Sequence, residues 1–93
     1  MLNERNLQGY FVKKVKKAGG LAVKTNCDGH RGWFDLTIVM PTGEIHLIEL
    51  KKEGGRLSIH QKQMLTRLQG MSANADVLIG KGEVDAWLSI WLS

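Results

Sequence analysis

Cysteine is almost missing from this 93-residue chain. Cys27 stands alone, so no intramolecular disulfide can form, and neither a CxxC pair nor a cysteine-rich structural zinc site is available. A reducing cytoplasm is the compartment that this usage fits. Long apolar runs are missing as well. The longest candidate, 36–40, is interrupted by Thr37, far short of the roughly 20 residues that span a bilayer, and no membrane association is expected. The N-terminus lacks the apolar core of an export signal, carrying Asn3, Glu4 and Asn6 with its lysines late. His30, His46 and His60 form no HxxxH pattern or Cys/His cluster, and no role is assigned to them. Linkers, internal repeats and low-complexity tracts are absent too. Half of so short a chain could not bury a core of its own, so residues 1–93 are read as one domain.

What is present is uneven positive charge. The net charge is +4, but residues 1–67 hold 12 basic against 6 acidic side chains, while 68–93 hold Lys81 against Asp76, Glu83 and Asp85. Such a field attracts polyanions such as nucleic acid, although a solvated lysine-bearing helix face gives the same count.

The spacing of apolar residues predicts the order αβββαβα. After Asn3 as N-cap, Leu7, Phe11, Val15 and Ala18 mark a helix over 4–18 that stops at Gly19-Gly20. Glu4 continues that stripe and is expected to look inward. Residues 21–24 form a short strand candidate, and 25–32 read as a loop. Residues 33–40 and 44–50 read as the two strands of a hairpin, turned by Pro41-Thr42-Gly43, with 51–57 a loop at the strand end. Ser58 with Gln61 has the capping-box spacing at the start of a helix of about twelve residues, carrying Met64, Leu65 and Leu68 and stopping at Gly70. Residues 77–79 are a buried strand bounded by Gly80 and Gly82, and Val84, Trp87, Leu88 and Trp91 mark a last helix. The pattern implies an α/β fold with a mixed sheet flanked by helices.

Asp35, Glu49 and Lys51 converge at one end of the hairpin. Period two puts Glu49 and Lys51 on one face. A three-residue turn opposes Met40 to Glu44 and, counting back along both strands, Asp35 to Glu49, whereas a two- or four-residue loop would turn Asp35 to the other face. Facing carboxylates are destabilising unless a cation or Lys51 neutralises them, and oxygen ligands of this hardness suit Mg²⁺ or Mn²⁺. Each residue alone has a plainer reading: E-x-K is usually a half-exposed salt-bridge ladder, Glu4 suits a helix N-terminus, and Gln61 could serve only as the partner of Ser58. The apolar neighbours Leu36, Ile38, Leu47 and Ile48 shift the balance, because burying unpaired charge costs several kcal/mol.

The run Trp33-Phe34-Asp35-Leu36, then Ile48-Glu49-Leu50-Lys51-Lys52, then Gly54-Gly55-Arg56-Leu57-Ser58 and Gln61, with Gly19-Gly20 before the first strand, resembles the VRR-NUC family of the PD-(D/E)XK nuclease superfamily over residues 4 to about 80. Phe34 stands where the family pattern usually has proline, a backbone-shaping residue and not a ligand. The resemblance implies a restriction-endonuclease-like αβββαβ core with an extra C-terminal helix. It implies that Asp35 and Glu49 bind the metal, helped by the backbone carbonyl of Leu50; that Glu4 is a further acidic ligand; that Lys51 holds or activates the attacking water; and that Gln61 orients the site. The implied reaction is DNA phosphodiester hydrolysis leaving a 5′-phosphate and a 3′-hydroxyl.

Lys13, Lys14, Lys16 and Lys17 with Lys52, Arg56 and Lys62 are the candidate phosphate-backbone contacts, and Arg31 in its glycine-flanked loop is another. Trp87 and Trp91 are expected in the core. Ile90 and Leu92 make the last helix apolar nearly all round, which predicts a homodimer through the C-terminal part. The leading reading is a dimeric metal-dependent endonuclease for branched DNA such as a four-way junction, with no small-molecule cofactor. The alternative is a basic nucleic-acid-binding or interaction module without turnover, against which the retention of Asp35, Glu49, Lys51 and Gln61 argues.

Overall fold

The computed structural model describes residues 2–25 and 32–92. Helix α1 (Glu4–Lys17) is followed by β1 (Leu21–Lys24), β2 (Leu36–Val39), β3 (Ile45–Lys51), α2 (Ile59–Gly70), β4 (Ala75–Ile79) and α3 (Gly80–Trp91). This is the expected order. The four strands form one sheet in the order β1-β2-β3-β4, antiparallel except for the parallel β3–β4 pair, so the sheet is mixed. The parallel pair needs a crossover, and α2 supplies it.

Asn3 starts α1 by accepting the Asn6 N–H at 2.8 Å. Its stripe, Leu7, Phe11 and Val15, is fully buried against Leu36, Ile38, Met40, Ile48 and Leu50, each such side chain contributing on the order of 2 kcal/mol by leaving water. Val84 and Trp87 of α3 complete that layer, with the Trp87 ring edge-on to Phe11 at 5.3 Å. Tyr10 joins the helices by donating to Asp85 Oδ1 at 2.6 Å.

The turn fixes the hairpin. Met40 N–H donates to the Glu44 carbonyl and Gly43 N–H to the Met40 carbonyl, both at 2.8 Å, with Gly43 at φ +90°. That is a three-residue loop closed by a left-handed glycine. The resulting pairs, Leu36 with Ile48 through Val39 with Ile45, are those the turn predicts.

Several boundaries differ from the sequence reading. The regular strand begins at Leu36 and not at residue 33, although Phe34 is buried at 2 % exposure. Strand β4 begins at Ala75, and α3 begins at Gly80, so Gly80 and Gly82 belong to the helix and do not precede it. The new helix start is held by Glu83, whose carboxylate accepts the Ile79 N–H at 2.9 Å. Trp87 is buried as expected, but Trp91 is 42 % exposed because it lies on the outer side of the His46 ring, 4.5 Å from it. His46, given no role from sequence, is a core residue at 3 % exposure, bonded through Nε2 to Glu44 at 2.7 Å.

Candidate active site

Strand parity separates the two faces of the sheet. Leu36, Ile38, Ile48 and Leu50 point toward α1, so Asp35, Glu49 and Lys51 fall on the other face. The hairpin register carries Asp35 to the position opposite Glu49, and the Asp35 N–H donates to Glu49 Oε1 at 3.2 Å. Lys51 Nζ lies 3.5 Å from Glu49 Oε2. The Leu50 side chain is in the core, so at this face only its backbone is on offer.

Gln61 closes the site from the next element. Its carbonyl accepts the Ser58 N–H at 2.9 Å and its own N–H donates to Ser58 Oγ at 3.1 Å, a complete capping box. The free end of the same amide donates to Glu49 Oε2 at 2.8 Å. One side chain thus both caps α2 and reaches Glu49.

Glu49 is 3 % exposed, and its charge is incompletely compensated. Burial, and then the Asp35 charge, push its carboxyl up from 4.5 to about 7, while Lys51 and the Asp35 N–H pull the other way without cancelling them. A carboxylate so placed beside another is donor chemistry that fits a hard divalent cation. Among the described residues no group of three His, Cys, Asp or Glu side chains gathers in a form that could hold a metal. Asp35 and Glu49 are therefore the carboxylate pair, and an ion there would draw its remaining oxygens from water and backbone, as Mg²⁺ commonly does.

Glu4 corrects the sequence reading. It is exposed in the first turn of α1 and does not look inward. The buried stripe is centred on Phe11, and at 3.6 residues per turn Glu4 sits only about 20° round the helix from that centre, so it keeps the line of the stripe but stands in the first turn, where the helix runs past the core. Lys13 and Lys14 are exposed on α1, the layer covering the opposite face of the sheet, and Lys14 Nζ lies over the Tyr10 ring at 5.6 Å. The structure does not bring them to the carboxylates. Lys52 follows Lys51 directly, Arg56 lies in the connection between β3 and α2, and Lys62 follows Gln61; all three are exposed. Arg31 lies outside the described residues.

Two supports were not foreseen. Thr25 N–H donates to the Asp35 carbonyl at 2.9 Å, and its hydroxyl bonds to the Phe34 carbonyl at 3.3 Å and the Thr37 hydroxyl at 3.1 Å, tying the entry of β2 to the end of β1. Gly32, at φ +77°, lies so close to α2 that a Cβ would stand 2.4 Å from the His60 carbonyl oxygen. The Thr25 link depends on a β1–β2 register that the eight residues of 25–32 leave open in the sequence. The glycine was visible as a residue type, but its neighbour was not.

No protein-family model matches the sequence. A protein with the printed name "Putative nuclease p44", from Acyrthosiphon pisum secondary endosymbiont phage 1, is 30% identical over 78 residues, 84% of this chain and 84% of that protein. A solved structure described as a VRR_NUC domain is similar at a TM-score of 0.84 and 29% identity, covering 92% of this chain and 94% of that one. The mixed sheet, its flanking helices and this structural likeness define the fold as that of the PD-(D/E)XK nucleases. Within that class the chain belongs to the VRR-NUC family.

Proposed function

We propose that the protein is a divalent-metal-dependent endonuclease that hydrolyses phosphodiester bonds in DNA, prefers branched substrates such as four-way junctions, and works as a homodimer in the cytoplasm, with residues 1–93 forming one nuclease domain. The observation that carries this reading is Glu49: a buried carboxylate facing Asp35, fixed by Gln61, flanked by Lys51 and pushed up to about 7. Such an arrangement costs stability and is kept where chemistry uses it.

Asp35 and Glu49 would hold Mg²⁺ or Mn²⁺, with the Leu50 carbonyl a further oxygen. When bound, the ion supplies Lewis-acid stabilisation of the phosphoryl oxygens and eases deprotonation of water. Lys51 orients the attacking water and offsets charge as the phosphorus centre becomes pentacovalent. Gln61 keeps the Glu49 carboxylate turned toward Asp35 and Lys51. Water oxygen bonds to phosphorus, the bond to the 3′ oxygen breaks, and that oxygen takes a proton, leaving a 5′-phosphate and a 3′-hydroxyl. Lys52, Arg56 and Lys62 contact the DNA backbone beside the site, a role that carries no sequence preference. The two-fold symmetry of a dimer suits a substrate with two equivalent strands to cut.

The test is cleavage of end-labelled linear, flap and four-way DNA in Mg²⁺, Mn²⁺ or EDTA by the wild type, Glu49→Ala and Lys51→Ala. Metal-dependent cuts that both variants lose, strongest on branched DNA, are expected. Wild-type binding without cleavage in either metal would leave the basic nucleic-acid-binding module as the function.

A further inference from the structure

Helix α2 stands on the carboxylate side of the sheet as a ridge that buries none of its side chains. Its half-exposed side, Gln61, Met64, Leu65 and Leu68, is turned to the sheet, and Ile59, Lys62, Gln63, Thr66 and Arg67 are exposed. Helical spacing divides the exposed set. Gln63 and Thr66 each lie about 150° round the helix from the middle of the half-exposed side, and Ile59, 63% exposed, shares their crest. Lys62 lies about 110° to one side and Arg67 about 110° to the other. The crest is therefore uncharged, with a cation on each flank. No acidic residue occurs anywhere between Glu53 and Asp76.

This ridge is fixed beside the chemistry. The capping box and the Gln61–Glu49 bond hold its first turn, Gly32 abuts it at the His60 carbonyl, and Gln69 at the far end donates to the Ala75 carbonyl at 3.1 Å. Glu49 lies 3% exposed at the foot of that first turn, so a phosphodiester that reaches it lies alongside α2. A duplex seated in this way takes the ridge into the groove next to the phosphate being cut. The major groove, about 12 Å wide, admits a helix about 10–12 Å across, and the minor groove, about 6 Å wide, does not.

We propose that α2 enters the major groove of the duplex next to the scissile phosphate and reads base edges there. The proposal rests on the nuclease reading and adds to it a sequence preference near the cut. The Gln63 amide presents the donor and acceptor that match N7 and the amino group of adenine, and the Thr66 methyl and Ile59 side chain suit the methyl group of thymine. Lys62 and Arg67, on opposite flanks, reach phosphates on the two walls of the groove, where they add affinity without discrimination. From Ile59 to Arg67 the helix rises about 12 Å, which spans three to four base pairs at about 3.4 Å each. The crest is thus long enough to read a short sequence and too short to read a long one.

The test uses a four-way junction with randomised base pairs around its centre and sequences two pools, the molecules bound in EDTA and those cut in Mg²⁺. The proteins are the wild type, Gln63→Ala, Arg67→Ala and, on the helix that covers the other face of the sheet, Arg5→Ala, each checked for unchanged helical circular dichroism. The expected result is an A·T pair enriched at least fivefold at one fixed distance from the cut, an enrichment that Gln63→Ala loses and Arg5→Ala keeps. Replacing that adenine by 7-deazaadenine should weaken wild-type binding about fivefold and leave Gln63→Ala binding unchanged. Arg67→Ala should weaken binding to every sequence alike and lower the salt dependence by about one phosphate contact. Wild-type pools without positional preference, a preference that survives Gln63→Ala, or an Arg67→Ala variant that binds as tightly as the wild type would overturn the proposal. A patterned bound pool from a protein that cuts nothing would leave the groove contact standing and remove the nuclease reading alone, whereas cuts at random sequence would do the reverse.

Discussion

Gln61 and Glu49 are joined at 2.8 Å by an amide whose other end caps α2. The position of the carboxylate is thereby tied to the start of a helix. Without that amide Glu49 would keep only the Asp35 N–H, at 3.2 Å, and Lys51, at 3.5 Å. The capping box spends the Gln61 carbonyl and backbone N–H on Ser58, which turns the amide nitrogen toward the sheet.

Two substitutions separate these jobs. Ser58→Ala removes the cap oxygen and is expected to cost about 1 kcal/mol while leaving cleavage within a few-fold of wild type. Gln61→Ala should cost a similar amount in urea unfolding yet lower the cleavage rate at least tenfold, because Glu49 loses its donor as well. Equal losses of rate in the two variants would show that only the helix start matters.

Glu49 also sets a pH dependence. Its folded-state pKa lies above the unfolded value, 4.5 against about 7, so the folded chain binds this proton more tightly. The stabilisation is complete below about pH 4.5 and is lost as pH rises through 7, a change of about 3 kcal/mol at most. Glu49→Gln removes that slope. In EDTA the variant is expected to match wild type near pH 4 and to exceed it at pH 8, with chemical denaturation at both pH values as the measurement.

The same cost predicts an effect of divalent ions. At pH 8, Mg²⁺ or Mn²⁺ at ten times its dissociation constant should stabilise the wild type by about 1.4 kcal/mol and leave Glu49→Gln unchanged. A melting temperature that rises equally in both proteins would place the ion elsewhere.

The legible parts of this molecule are those where local chemistry settles geometry. Pro41-Thr42-Gly43 suits a three-residue loop, the loop sets the pairing, and a two- or four-residue loop would have turned Leu36 and Ile38 out of the core and Asp35 away from Glu49. Asp35 facing Glu49 followed from the three-residue loop. The orientation of Glu4 was not legible, since a helix stripe read by threes and fours does not show where its first turn overruns the core. Nor was the burial of His46 between Trp87 and Trp91, 5.4 and 4.5 Å from their rings, because it depends on α3 folding back over β3. The start of α3 at Gly80 was missed because no side chain of Ile79, the residue at its cap, makes a capping bond.

Gly32 tests how closely the β1–β2 connection is pinned to the site. Gly32→Ala combines a left-handed backbone with a Cβ 2.4 Å from the His60 carbonyl, and is expected to cost more than about 2 kcal/mol. Gly43→Ala, at φ +90° with nothing within 4 Å, should cost about 1 kcal/mol. The clash at Gly32 falls on the residue next to Gln61, so cleavage should also drop in that variant and hold in Gly43→Ala. Loss of stability without loss of rate at Gly32 would detach the connection from the chemistry.

The tryptophans of α3 distinguish core from cover. Trp87, 3% exposed and packed on both Phe11 and His46, should cost about 3–5 kcal/mol on Trp87→Ala. Trp91→Ala removes a ring that is 42% exposed and bears on His46 from outside, and is expected to cost no more than about 2 kcal/mol. Acrylamide should quench the fluorescence of Trp91 far more than that of Trp87, measured in variants in which Trp33 and one of the two are replaced by phenylalanine. If Trp87→Ala unfolds no more easily than Trp91→Ala, α3 is a detachable cover, and the core ends at the layer between α1 and the sheet.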